Sequence, residues 1–191
     1  MENVPFDLEY ISLLLEIHGK KVDKYLGRGY TILPKINGVS IHDHQVYNQE
    51  KRPVWFIFSG MGSQWPKMGK RLMDFPIIRE SIERSHKILE QKGLDLIDII
   101  TRDDPKIFDN ILHSFVGIAA IQVALVDFLN ALGIVPNGMI GHSVGELGCA
   151  YADGCFTAEQ MILSAYSRGK ASIETDLIKG FMAAIGKYSS G

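Results

Sequence analysis

Gly138-Met139-Ile140-Gly141-His142-Ser143-Val144-Gly145-Glu146 is the stretch that decides how this chain is read. Gly141 to Gly145 spells G-x-S-x-G, preceded by a short apolar run and followed by helix-forming residues. A strand, a serine and an immediate helix form a nucleophile elbow. Glycine two residues to either side of the serine lets the backbone turn sharply and leaves the Ser143 hydroxyl at the tip. Such a corner implies acyl transfer through an ester on Ser143.

Acyl transfer also needs donors for the tetrahedral oxyanion. In an elbow one donor is the backbone N–H after the serine, here Val144, where the helix N-terminus adds its positive dipole. A second must come from another strand-to-helix loop. The loop Gly60-Met61-Gly62-Ser63-Gln64 suits it, because glycine permits close backbone approach. The same loop lacks the Gly-Lys-Ser/Thr ending of a P-loop and the spacing of a dinucleotide fingerprint. Arg168, 25 residues beyond Ser143, could fork onto a substrate carboxylate; a surface arginine near a helix end is the plainer alternative. A serine needs a base, usually histidine. No histidine follows Ser143, and His142 adjoins it, where neighbouring side chains diverge. His86 and His113 lie in helical stretches and are assigned apolar-face or solvent roles. The elbow thus stands without its base: either the motif is decorative or the chain is a piece of a longer polypeptide.

Outward from the elbow, the pattern is α/β. Val54-Trp55-Phe56-Ile57-Phe58 is a continuous apolar run, as in a strand buried on both faces of a parallel sheet. Helical periodicity spans 76–92, 94–100 and 109–132. In the last, Phe115, Ile118, Ala119, Leu125, Phe128, Leu129 and Leu132 form the apolar face, ended by Gly133. A strand over 139–141 and helices over 144–151 and 157–174 follow, with a further strand opening at Phe181. Strand, loop, helices, strand and helix in that order favour parallel strands under helices. Towards the N-terminus the pattern predicts a helix over 7–18, a short strand over 29–33 and a turn-prone, charged linker over 34–52. His42-Asp43-His44 could place two imidazoles on one side of an extended segment, but a metal needs more ligands.

Composition bounds the alternatives. The chain has 191 residues, 46% apolar and 22% charged, which suits a globular domain with an appended piece. A net charge of −2 gives no general pull on nucleic acid or anionic membrane. No apolar run is expected to reach the roughly 20 residues that span a bilayer, and residues 1–5 do not open a secretory signal. Cys149 and Cys155 cannot build a disulfide framework, so a reducing cytoplasm is expected, with both as small buried residues.

Together these blocks resemble the malonyl/acetyl transferase domain of animal-type fatty acid synthase. The resemblance runs through Arg52 to Trp65, His113 to Val116, Gly141 to Glu146, Tyr151 to Cys155 and Arg168-Gly169. It covers about residues 52 to 186. It implies a partial α/β-hydrolase-like acyltransferase core with parallel strands under helices, preceded by a small α+β linker segment. Residues 1–50 would be the end of the ketosynthase-to-acyltransferase linker, and 51–191 the N-terminal part of the transferase, cut where a ferredoxin-like subdomain begins. It further implies that Ser143 carries malonyl or acetyl, that the Met61 and Val144 N–H groups form the oxyanion hole, that Arg168 holds the malonyl carboxylate and that Gln64 orders the site. The substrates would be acetyl-CoA or malonyl-CoA and the phosphopantetheine of an acyl carrier protein, with ketosynthase as a neighbouring domain, a homodimeric parent and no metal. Methionine at 61 matches the animal pattern, whereas Ser167 stands where tryptophan is expected. Three alternatives stay open at this point: a polyketide synthase acyltransferase, a serine esterase or lipase with the same elbow, and a non-catalytic module.

Overall fold

The computed structural model describes residues 12, 13, 16, 26–36, 39–46, 52–176 and 180. The chain divides into two compact units, Met1–Arg52 and Pro53–Gly191. In the first, strand β1 (Gly27–Ile36) pairs antiparallel with β2 (Val39–Val46), from Gly27 opposite Val46 to Ile36 opposite Val39. This corrects the linker expected over 34–52: β1 runs on through Pro34, and the polar segment after it forms a second strand. The ladder's register shifts between Ile32 and Ile36, around the proline, which has no N–H to give. His42, Asp43 and His44 are exposed on β2, and no group of three metal-ligating side chains occurs among the described residues. Ser12, Leu13 and Glu16 are helical; the rest of the helix expected over 7–18 lies outside the described residues, as does the strand expected from Phe181.

In the second unit, strands β3 (Trp55–Phe58) and β4 (Gly138–Gly141) pair in parallel, Trp55 opposite Gly138 and Phe58 opposite Gly141. Parallel strands need a long crossover. Here the chain between them builds helices α1 (Pro76–Glu90), α2 (Leu96–Thr101) and α3 (Ile111–Ala131). Helices α4 (Gly145–Ala152) and α5 (Ala158–Glu174) follow the second strand. Local chemistry fixes the ends within a residue or two of expectation. Proline opens α1 at its first turn. Asp95 caps α2 by accepting from the Asp98 N–H at 3.0 Å, so the helix starts after it and not at Leu94. Asn110 likewise accepts from the Leu112 N–H at 2.9 Å, so α3 starts at Ile111 and not Asp109. Thr157 and Gln160 form a reciprocal capping box on α5.

The core lies among the helices. Ile78, Ile82 and Leu89 of α1, Leu96 and Ile100 of α2, Val116 and Val123 of α3, and Met161 and Ile162 of α5 are all within 1% of complete burial. Two expectations need correction here. The N-terminal half of α3 is buried all round, from Ser114 to Ala120, because α1, α2 and α5 all pack on it, while Leu125 and Leu132 are exposed. At 21 residues and mean hydropathy 1.8, α3 is also long and apolar enough to cross a bilayer, against the expectation that no run was. Its residues form instead the centre of a helical cluster.

The sheet departs from expectation as well. Phe56 and Phe58 face the helices and are buried, whereas Trp55 is 56% and Ile57 75% exposed, with Ile140 beside them on β4. The apolar run at 54–58 is therefore buried on one face only among the described residues. Alternation of side chains along a strand sends every second one to the other face, and no described element covers that face. Neither cysteine is fully buried: Cys149 is half-buried, and Cys155 is exposed beside the Asp153 carboxylate.

Candidate active site

The corner between β4 and α4 has the geometry that its sequence demands. Ser143 has φ 56°, and only one other described non-glycine residue, Lys67, has a positive φ. Left-handed backbone costs a side-chain-bearing residue about 1–2 kcal/mol, so the surroundings must hold it there. They do so through the main chain. The His142 N–H donates to the Phe58 carbonyl at 3.1 Å, prolonging the β3–β4 ladder by one residue. The His142 carbonyl then accepts from the Gly145 N–H at 2.9 Å, and the Ser143 carbonyl from Glu146 at 3.1 Å, starting α4 at once.

The flanking glycines are required by room. A Cβ on Gly141 would stand 2.5 Å from the Gly145 carbonyl oxygen, and one on Gly145 would be driven into the Phe58 carbonyl. Gly60 belongs to the same constriction, since a Cβ there would lie 2.6 Å from the His142 carbonyl oxygen and 3.1 Å from Ser143 Cβ. The loop after β3 is thereby laid against the elbow, as the sequence argument required for a second donor.

That loop is a tight turn from Gly60 to Ser63. Gly62 occupies its third position with φ 98°, where a type II turn favours glycine. The Ser63 hydroxyl donates to the Gly60 carbonyl at 2.8 Å, and the Gly62 N–H donates to Gln64 Oε1 at 2.8 Å. Met61 projects at the turn, 40% exposed. Neither the Met61 nor the Val144 N–H has an intramolecular acceptor among the described residues. The Val144 side chain is fully buried, which anchors the first turn of α4.

None of the described histidines of this unit, His86, His113 and His142, hydrogen-bonds Ser143. His113 Nδ1 is 2.9 Å from the Ile107 carbonyl, and His86 Nδ1 is 3.8 Å from an Asp95 oxygen. His142 is exposed. No side chain among the described residues hydrogen-bonds Ser143 Oγ. Arg168 is exposed on α5, with its guanidinium carbon 5.7 Å from the centre of the Phe115 ring. What it touches is the Phe115 ring of α3. The thiols offer no rival nucleophile. Burial, followed by Glu146 and Asp153, pushes the Cys149 pKa up, and the hydrogen bond to Asp153 does the same for Cys155.

Two features escaped the sequence reading. Gln122 is only 8% exposed on α3, and its Nε2 donates to the Ser59 carbonyl at 2.7 Å, just behind the Gly60 turn. The signal was present: one amide inside an otherwise apolar stretch of helix. The second is a polar tie between three helices. Arg84 of α1 meets Asp127 of α3 at 2.5 Å, and the Tyr151 hydroxyl of α4 donates to the other Asp127 oxygen. It secures the far end of the helix that begins at the elbow.

Known proteins give this geometry its setting. The chain is 37% identical over 168 residues to a highly reducing polyketide synthase of Emericella nidulans, matching 83% of this chain and 6% of that protein. It is 40% identical over 143 residues to the 6-hydroxymellein synthase of Talaromyces verruculosus, matching 71% of this chain and 5% of that one. It therefore spans only a small part of the length of the curated relatives it matches. Among solved structures, the acyl transferase domain of ZmaA superposes with a TM-score of 0.63 at 26% identity, over 68% of this chain and 31% of that one. The acyltransferase domain of the polyketide synthase PpsC of Mycobacterium tuberculosis gives 0.55 at 31% identity, over 62% and 36%. The family model described as "Acyl transferase domain" matches residues 55–190, from the first residue of β3 onward through the elbow, and the chain belongs to that family.

Proposed function

We propose that Ser143 is the nucleophile of an acyltransferase within a larger synthase, moving a malonyl or acetyl group from coenzyme A to the pantetheine thiol of an acyl carrier protein. The observation that carries this is the Ser143 backbone, held left-handed at a strand-to-helix corner with the Gly60 turn pressed against it. Ser143 Oγ attacks the thioester carbonyl; the C–O bond forms, the C–S bond breaks, and CoA leaves as the thiol. The carrier thiol then attacks the ester and returns the proton to Ser143. The oxyanion of each tetrahedral intermediate is received by the Met61 and Val144 N–H groups, and Gln64 orders the turn through Gly62. The base is a histidine supplied by polypeptide outside these 191 residues. A solved complex of a malonyl transacylase with the holo acyl carrier protein of a type II polyketide system, 25% identical to this chain, supports the choice of acceptor.

Curated relatives named as highly reducing polyketide synthases favour a polyketide synthase parent over the fatty acid synthase that the sequence first suggested. Met61 at the exposed turn is the observation that still favours the fatty acid synthase, as the animal pattern places methionine there. Incubating the parent protein with malonyl-CoA and mapping the acyl group by mass spectrometry tests the common part of both readings. The expected label is on Ser143, and label on another residue overturns the assignment. The clamp is tested by Arg168→Ala, which should depress malonyl transfer more than acetyl transfer; equal losses refute it. Products released by the parent separate the two synthase types.

A further inference from the structure

We propose that Ser63 is a positioning residue: its hydroxyl, backed by Gln122, fixes the direction of the Met61 N–H at the Ser143 corner. The inference rests on the acyltransferase reading above and extends it to two uncharged residues, Ser63 and Gln122. A trans peptide points its N–H opposite to its C=O. Tying the Gly60 carbonyl therefore aims the Met61 N–H, because both belong to one peptide plane. The tie is the Ser63 hydroxyl at 2.8 Å; the turn's own backbone bond, from the Ser63 N–H to the same oxygen, is long at 3.4 Å. The hydroxyl is the shorter of the two restraints.

The peptides on either side are held as well. One residue back, the Ser59 carbonyl accepts from Gln122 Nε2 at 2.7 Å; one residue on, the Gly62 N–H donates to Gln64 at 2.8 Å. Gln122 has no slack, since its Oε1 is buried without a partner and abuts Gly148, where a Cβ would stand 2.7 Å from it. Gly60 is pinned from below by His142 and Ser143. Three consecutive peptides are thus clamped by side chains, and the Met61 N–H is left free between them. A donor that must meet an oxyanion formed only transiently gains from being aimed beforehand.

The test is rapid-quench acylation of the parent protein by malonyl-CoA, with rates taken per active site from the burst amplitude so that misfolded molecules are not counted. Removing an oxyanion donor outright costs about 10²–10³ in rate, so a misaimed donor in Ser63→Ala should cost about tenfold, with KM for malonyl-CoA changed less than about twofold. Ser63→Thr keeps the hydroxyl and should recover most of the rate. Ser63→Ala acylating at the wild-type rate overturns the inference, and so do alanine and threonine variants that are equally slow. A wild-type parent that takes no label on Ser143 overturns the acyltransferase reading, and this inference with it.

Discussion

The elbow and the helical cluster behind it are built on opposite rules. In the cluster, Ile82, Leu96, Val123 and Ile162 are buried by apolar side chains whose shapes fill the space. At the elbow, backbone meets backbone: Gly60, Gly141 and Gly145 press on carbonyl groups, and Ser143 is held in a conformation that it would not choose. The cluster is stabilised by what its side chains add, and the elbow by what its glycines leave out. The two regions should therefore respond differently to the same alanine substitution.

Gly145→Ala should show the largest effect. The new methyl would meet the Phe58 carbonyl, which belongs to the strand pair and cannot step aside as a flexible side chain could. We expect a loss of about 4 kcal/mol or more, among the severest single changes, read by urea denaturation of the parent protein. Ile82→Ala subtracts instead of adding. Ile82 is completely buried between helices, and cavity formation there should cost about 3 kcal/mol. A Gly145→Ala loss smaller than that of Ile82→Ala would show that the corner yields, and the contrast between the two regions would fail.

Tyr151→Phe probes the tie that joins the regions. Its hydroxyl donates to Asp127, and the loss of that charge-assisted bond should cost about 1.5 kcal/mol near neutral pH. Burial, then the Asp127 hydrogen bond and charge, raise the Tyr151 pKa. A phenol harder to ionise in the folded than in the unfolded chain contributes stability that is complete below its unfolded pKa, about 10, and fades as pH rises beyond it. The wild-type protein should therefore lose stability above about pH 10 more steeply than Tyr151→Phe. Parallel pH profiles would show that Tyr151 is not the group responsible.

What could be read from the sequence follows the same division. The elbow, the loop that meets it and the helices were legible because each rests on local rules: glycine where a Cβ cannot fit, and 3.6-residue periodicity. Long-range consequences were not. The burial of the N-terminal half of α3 all round depends on α1, α2 and α5 meeting it at once, which no window of sequence contains. The exposed Trp55 and Ile57 look identical in sequence to their buried neighbours, since an apolar run does not say what covers each face. Pro34 reads as a strand breaker, yet the hairpin absorbs it at a shift in register. Gln122 was passed over because its partner, Ser59, is 63 residues away.

The smallest effect is also the one of opposite sign. Ser143 holds φ 56°, a conformation that glycine adopts at almost no cost and serine at about 1–2 kcal/mol. Ser143→Gly removes this strain, although glycine also gains freedom in the unfolded chain, which offsets part of the benefit. The expected net is a gain of up to about 1 kcal/mol, alongside complete loss of acylation. Deleting a buried side chain in the helical cluster can only subtract, because its contacts are all favourable. A gain at Ser143 would show that the fold carries this residue at a cost to its own stability, as a site retained for chemistry would be. A loss would mean that the Ser143 side chain makes contacts that outweigh the strain, and the corner would then follow the same rule as the cluster.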